Sequence, residues 1–318
     1  MQIEFVKCHG SGNDFPLVDA RALDLPEDAW VRLARALADR AGPVGGDGLL
    51  LVTRGDATHA FGMRMFNPDG SEAETCLNGV RCTARLGFER LGIAEARVLL
   101  KTSDAEAALQ PELAPGVTTI RTRVGPVSTL ASDVGLRIDA REVIDAPIPG
   151  FPSERAFTAV AMPNPHLVSF VDRVDEAELV ALGDWCEAGP ALLPARGNVS
   201  FVEVRGSAEA PALFVRTYER GVGLTNSCGS AMAASTYAAA RTGRIAFDRE
   251  TQVFNRGGMV RASATQAAEV TIAGNATFEW DGRISFDPET GALSALEVIG
   301  RRPAEVAAWD EMLATISR

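Results

Sequence analysis

The sequence predicts an α/β protein of the α+β kind, with two pseudo-symmetric domains, each a strand-rich sheet or barrel wrapped around a central helix. Three observations carry that expectation. First, short motifs recur at a nearly constant spacing. Arg64-Met65-Phe66-Asn67 and Cys76 return 152 residues later as Arg216-Thr217-Tyr218-Glu219 and Cys228. Asn13-Asp14-Phe15 and Gly46-Asp47-Gly48-Leu49 return 151 residues later as Asn164-Pro165-His166 and Gly197-Asn198-Val199-Ser200. A repeat that keeps phase over this length marks a duplicated domain. Second, strand and helix patterns follow one another in the same order in both halves. Third, the segment after Cys228 is small and apolar all round, which is the pattern of an enclosed helix.

The elements read in order. Gln2–Val6 alternates as a strand, His9–Asn13 reads as a loop, and Phe15–Asp19 is the next strand. In Glu27–Arg40, Trp30, Leu33, Ala34, Leu37 and Ala38 recur at helical spacing, with Pro26 before the start and Gly42 after the end. Gly48–Thr53 is a buried strand and Phe61–Asn67 another, closed by the turn signal Asn67-Pro68-Asp69-Gly70. Asn78–Arg90 is a helix opening just after Cys76. In the second half, Ala156–Met162 is a strand, Pro163–Pro165 a loop and Leu167–Val171 a strand. A helix starts over Glu176–Leu182, Val199–Val204 and Leu213–Tyr218 are strands, and Gly229–Arg241 is the Ala- and Ser-rich central helix. Pro303–Ile316 reads as an amphipathic helix with Val306, Trp309, Met312, Leu313 and Ile316 on one side. It has no counterpart near residue 150. The expected division is therefore 1–125, completed by a strand segment near 275–286; 126–274; and an added tail, 287–318.

Composition narrows the function. The chain has 318 residues, 46% hydrophobic and 23% charged, enough for two cores. Its net charge of −11 argues against nucleic acid or an anionic membrane as a partner. There is no apolar leader pattern and no apolar run of spanning length, so a cytoplasmic protein is expected. Five cysteines without a CxxC suit free thiols in a reducing compartment. The three histidines are scattered, with no metal-ligand spacing. Lys7 and Lys101 are the only lysines, and neither stands in a Schiff-base context. No metal and no cofactor is expected.

What remains is a pair of thiols. A cysteine at a helix start has its thiolate favoured by unpaired backbone N–H groups and the helix dipole, which predicts lowered pKa values for Cys76 and Cys228. The amides of Leu77, Asn78, Gly229 and Ser230 can hold a substrate carboxylate at the same helix starts. Together these suit a racemase. One thiolate removes the α-proton of an amino acid, the opposite thiol returns a proton to the other face, and fixed donors stabilise the charge that spreads onto the carboxylate. Cys8, Cys82 and Cys186 read instead as small buried hydrophobes.

With these residues in view, the chain resembles the diaminopimelate epimerases, within the cofactor-independent racemases and epimerases that include proline racemase. The likeness spans about residues 1–286 and rests on CHGSGNDF, VGGDGLLLV, FNPDGSEAETCLNGVRC, MPNPHLV, GNVSFVEV, YERGVGLTNSCGSA and FEWDGRI. It implies interconversion of LL- and meso-diaminopimelate for lysine and cell-wall synthesis, by Cys76 and Cys228. It implies substrate contacts from Asn13, Asn67, Leu77, Asn78, Asn164, Asn198, Glu219, Arg220, Gly229 and Ser230. It also implies tuning of the thiols by His166 and Glu219, and a homodimer contact at Trp280. Arg220 suits the remote carboxylate of such a substrate through a bidentate contact. The family's usual CGNG reads CLNG here, Leu224 replaces a glutamate, and Gly48 stands where some members carry glutamine. Alternative readings are a two-thiol racemase for another amino acid, of the histidine or proline type, which Leu77 and Leu224 would suit; a relative of the phenazine-biosynthesis proteins, which lack the cysteine pair; or a non-catalytic binding module on the same fold.

Overall fold

The structure, a computed structural model, describes residues 1–162 and 164–316. The chain forms two compact units, Met1–Thr122 with Ala273–Arg318, and Arg123–Ile272. In the first, β1 (Gln2–Gly10) and β2 (Asn13–Asp19) lead to α1 (Glu27–Ala38), then β3 (Leu49–Arg54), β4 (Phe61–Phe66) and the short β5 (Glu72–Ala73). α2 (Leu77–Leu91), β6 (Glu95–Leu99) and β7 (Asp104–Gln110) follow, and β8 (Thr119–Val124) carries the chain into the second unit. There α3 (Ala131–Val134) precedes β9 (Thr158–Met162), β10 (Asn164–Phe170), α4 (Glu176–Glu187), β11 (Asn198–Gly206) and β12 (Pro211–Glu219). β13 (Gly223–Thr225), α5 (Gly229–Arg241), β14 (Thr251–Asn255) and β15 (Gly258–Ala264) complete it. β16 (Val270–Asn275) returns to the first unit, which ends with β17 (Thr277–Phe286), β18 (Leu293–Arg301) and α6 (Pro303–Ile316).

The repeat seen in the sequence is a repeat of pairing. In the first unit β2 runs parallel to β3, β3 antiparallel to β4, β4 antiparallel to β5 and parallel to β6, and β6 antiparallel to β7. β10, β11, β12, β13, β14 and β15 repeat those relations in that order. The hairpins β6–β7 and β14–β15 were not anticipated. β6 and β7 are rich in Ala and Glu, which have little strand preference of their own.

Each unit encloses one helix and carries another outside. α2 is packed by β1, β2, β3, β4, β6 and β7, and α5 by β9, β10, β11, β12, β14 and β15. The run Leu49-Leu50-Leu51-Val52 has no alternation because both faces of β3 are covered. Leu50 and Val52 face the cluster around α2, while Leu49 and Leu51 pack with Trp30, Leu33 and Leu37 of α1. In the second unit Leu179, Leu182 and Cys186 of α4 pack on Leu167, Val199 and Phe201. Fully burying one such side chain stabilises the fold by about 1.5–3 kcal/mol.

Three expectations are corrected. The loop at His9–Asn13 is a tight hairpin: Gly10 pairs with Asn13, and Ser11 and Gly12 alone form the turn, at φ 53° and 78°. Two positive φ values match the twist of the flanking strands, and a Gly at the second position permits them. The expected loop at 163–165 is likewise strand at Asn164 and Pro165, which pair with Met162 and Ala161; Pro163 lies outside the described residues. The tail from 287 is not a separate addition but part of the first unit. β18 pairs antiparallel with β17, and α6 packs against β17. Trp309 and Met312 of α6 are buried, with Trp309 5.3 Å from the His9 ring; the side chain of Ile316 lies outside the described residues.

The tail also meets a need of α2. Arg85 projects from this enclosed helix and is only 7% exposed. It donates to both carboxylate oxygens of Glu305 at 2.5 and 2.9 Å, to Ala276 O at 2.7 Å and to Glu89 at 2.9 Å, and its guanidinium lies 3.9 Å from the Phe278 ring centroid. A buried cation is tolerated only when so paired. Replacing Glu305 with Ala is expected to lower stability by about 2–3 kcal/mol, read as a lower midpoint of thermal unfolding. An unchanged midpoint would show that the tail is not needed for the first unit.

Candidate active site

Both helix-start cysteines are N-cap residues of the enclosed helices. Cys76 caps α2 and Cys228 caps α5, each with extended backbone. The two caps differ. Gly79 N–H donates to Cys76 Sγ at 3.4 Å. No N–H lies in bonding geometry to Cys228 Sγ from the first turn of α5, although the Ala231 amide is near enough to favour its thiolate.

Around Cys76 the first unit gathers Asn13 and Asn78. The Cys76 thiol lies 3.8 Å from Asn13 Oδ1, and Asn78 Nδ2 donates to the same oxygen at 3.5 Å. Asn13 Nδ2 donates in turn to Asp47 Oδ2 at 2.5 Å. Arg40 bridges Asp47 and Asp14, and the buried Lys7 donates to Asp14 and to Gly45 O. Asn67 is not drawn in by any described bond to this group. Its side chain donates to Ser71 Oγ and its carbonyl closes the turn through Gly70 N–H. Leu77 is buried at the helix start. At Gly48 a Cβ would stand 2.4 Å from Phe66 O, so β3 and β4 approach too closely here for any side chain.

The second unit builds a single hydrogen-bonded chain from Cys228. Its sulfur lies 3.4 Å from Ser230 Oγ, which accepts from Asn164 Nδ2 at 3.2 Å. Asn164 Oδ1 faces His166 Nε2 at 3.1 Å, and Asn198 Nδ2 lies 3.4 Å from the His166 ring nitrogens. Asn198 Oδ1 accepts from Arg220 N–H at 2.8 Å. His166 is fully buried, and burial pushes its pKa down to about 3, so it stands neutral and donates from Nε2 to Asn164. It therefore holds two asparagines, and the described bonds from it reach Cys228 through Asn164 and Ser230. Glu219 does interact with the Cys228 thiol directly.

The expected thiol pKa is corrected for Cys228. Its value lies well above the ordinary thiol range, first because the sulfur is buried and then because the Glu219 charge is close. Desolvation of the thiolate outweighs a helix start that offers it little donation. The Arg220 guanidinium donates to Ala195 O at 3.1 Å and has no ion-pair partner among the described residues. Leu224 is partly exposed on β13. Trp280 packs edge-on against Phe5, ring centroids 5.1 Å apart, at the rim of the α1 cluster. Two surface cavities of the first unit, about 470 and 790 Å³, are lined by neither cysteine.

Sequence reasoning did not single out Asp47, Ser11, Arg81 or Asn275. The signal for Asp47 was present, because it occupies the position that Asn198 takes in the second half. The others act through contacts no local pattern reveals. Among the described residues no group of three His, Cys, Asp or Glu side chains is placed to hold a metal ion, and no helix is long and apolar enough to cross a membrane.

The architecture is that of a known class of two-domain proteins. A hydroxyproline epimerase from Agrobacterium vitis superposes with a TM-score of 0.60 at 14% identity, covering 91% of this chain and 94% of that one. A phenazine biosynthesis protein of the PhzF family from Bacillus anthracis gives 0.64 at 17% identity, covering 90% and 100%. Sequence identifies the family within that fold. The family model for diaminopimelate epimerase matches residues 5–127 and 158–279. The chain is 36% identical to the diaminopimelate epimerase of Clostridium acetobutylicum, over 90% of this chain and 87% of that protein. It is 35% identical to that of Lactiplantibacillus plantarum, over the full length of both. The chain belongs to the diaminopimelate epimerase family.

The electrostatics of Cys228 give a direct expectation. With Cys76 replaced by Ala, alkylation of Cys228 by iodoacetamide should reach half its limiting rate only above pH 9. Glu219→Gln should move that midpoint down. A midpoint near neutrality would show that burial does not control this thiol.

Proposed function

We propose that this protein interconverts LL- and meso-2,6-diaminopimelate by a two-base transfer of the α-proton, with Cys76 and Cys228 as the bases. The observation that carries the reading is that a chain of this family places a cysteine as N-cap on the equivalent enclosed helix of each unit. A thiolate on one side takes the proton from Cα, and the electron pair spreads onto the carboxylate. The thiol on the other side then gives its proton to the opposite face, so configuration inverts and the protonation states of the two sulfurs exchange. First-turn N–H groups have no intrahelical acceptor, and those of Leu77, Asn78, Gly229 and Ser230 suit the developing carboxylate charge. The raised pKa of Cys228 suits the thiol that donates, and its partner then begins as the base.

Diaminopimelate carries a second amino-acid end. Arg220, without an ion-pair partner among the described residues, suits the remote carboxylate, and Asn164 and Asn198 offer neutral contacts beside it. The acidic chain with five free cysteines suits a cytoplasmic enzyme of lysine and peptidoglycan precursor synthesis, and the Trp280 face is proposed for homodimer contact.

Incubation in deuterated solvent with a panel of amino acids tests the reading. Deuterium should enter Cα of diaminopimelate with inversion, and either Cys76→Ala or Cys228→Ala should reduce the rate by roughly 10³ or more while leaving the fold intact. Exchange confined to another amino acid would replace the substrate, and an active single variant would exclude the two-base route. In the same assay Arg220→Ala should cost diaminopimelate about 2 kcal/mol or more in kcat/KM, roughly thirtyfold, and a monocarboxylic amino acid far less. Equal losses would mean that the remote carboxylate is read elsewhere.

A further inference from the structure

Arg81, on α2 five residues after Cys76, is wholly buried, yet it has no carboxylate partner among the described residues. Its Nε donates to Asn275 O at 3.0 Å, and its Nη2 donates to Ser11 Oγ at 3.1 Å and Asn78 Oδ1 at 2.9 Å. Nη1 is buried without an acceptor among the described residues. All three bonds go to neutral oxygens, so the charge itself is uncompensated by them. An isolated buried cation is among the costliest features a fold can carry, and burial pulls even this guanidinium down to about 10. Such a charge calls for an anion.

The groups around it leave few candidates. On β1, Lys7 is paired with Asp14, His9 is pushed down to about 4 by burial and stands neutral, and burial holds Cys8 well above the ordinary thiol range. From β3, β4, β6 and β7 the neighbours of α2 are apolar, among them Leu50, Met65, Val98 and Ala105. Glu72 is paired with Arg64, Glu74 is exposed, and Glu279 on β17 is pushed up by its own burial. Arg81 interacts electrostatically with His9, which is neutral, and with the thiols of Cys82 and Cys76, of which Cys82 is sealed in the core.

Geometry ties Arg81 to Cys76 as well. Its bond to Asn78 Oδ1 turns Asn78 Nδ2 toward Asn13 Oδ1, the oxygen that faces the Cys76 thiol. Its bond to Ser11 holds the turn from which Asn13 departs, and Asn275 Oδ1 accepts from Ser11 N–H at 2.7 Å. Gly10 permits this approach, since a Cβ there would lie 2.8 Å from Asn78 O and 3.0 Å from Arg81 Nη2. The corresponding position of the second unit is Ala233, so α5 carries no cation at that place.

We propose that Arg81 is the positioning residue of the first half-site: it holds Asn78 and the Ser11–Gly12 turn by hydrogen bonds and supplies the buried positive charge that favours the Cys76 thiolate. The two half-sites then differ by construction. Asn13 Oδ1 can accept from the Cys76 thiol, while Gly79 N–H and Arg81 favour its thiolate, so both protonation states that a reversible base visits are served. The inference rests on the two-base reading only for its role in turnover, because thiol ionisation is measured without substrate.

The test is the pH profile of iodoacetamide labelling at Cys76, mapped by mass spectrometry, in the full chain carrying Cys228→Ala. Arg81→Met should raise the labelling midpoint by about one pH unit or more, a tenfold loss of thiolate at a given pH, and Arg81→Lys should restore most of it. An unmoved midpoint in folded Arg81→Met, or the same rise in Arg81→Lys, would overturn the electrostatic role. If Arg81→Met does not fold, the two single-cysteine variants decide. A Cys76 midpoint well below that of Cys228 supports the proposal, and equal midpoints overturn it. No deuterium exchange with any amino acid, alongside a shifted Cys76 midpoint, would overturn the two-base reading and leave this one standing.

Discussion

Each thiol is held by the enclosure of its helix. α2 and α5 are packed by six strands apiece of their own units, so the start of each helix is fixed relative to its sheet, and the N-cap side chain is fixed with it. A cysteine there needs no further scaffold to be placed, only neighbours that decide its charge. The cost falls on whatever polar groups the helix carries inward. α5 buries no charged side chain: Ala, Gly and Ser make up most of it, with Met232, Thr236 and Tyr237, and its one arginine, Arg241, is exposed in the last turn. α2 buries two of its three arginines, and each gathers partners: Arg85 draws Glu305 from the tail, and Arg81 draws the turn, Asn78 and Asn275.

The same scaffold thus surrounds its two helix-cap cysteines with chemically different groups. In the second unit a buried uncharged histidine holds two asparagines, the Glu219 charge acts on the Cys228 thiol, and Arg220 lies further along the same hydrogen bonds. Burial and a like charge both favour the thiol. In the first unit Asn13 is anchored by Asp47, within an ionic group of Lys7, Asp14 and Arg40, and a buried guanidinium interacts with Cys76. Duplication supplies two sulfurs with matching backbone positions. Divergence of the positions around them, Arg81 against Ala233 and Asp47 against Asn198, gives the two sulfurs different electrostatic surroundings.

Much of this was written in local patterns. The offset of the motifs exposed the repeat because duplicated backbones keep their side chains in phase, and the pairing of β2–β7 and β10–β15 follows that phase. The apolar character of Gly229–Arg241 announced an enclosed helix, and the placement of Cys76 and Cys228 before helical stretches announced their caps. Asn13, Asn78, Asn164, Asn198 and Ser230 were named from motifs and do lie on the hydrogen bonds that lead to the sulfurs.

The sequence by itself determined the duplication, the order of elements and the position of each thiol at a helix start, because these depend on periodicity and neighbouring residues. Only the tertiary structure decided the ionisation of Cys228, the neutrality of His166, the recruitment of the tail by Arg85 and the uncompensated charge of Arg81. Those depend on how much water is excluded from a group and on which partner arrives from a distant part of the chain. Arg85 meets Glu305 and Arg81 meets Asn275 about two hundred residues away, and no local window contains both members of either pair.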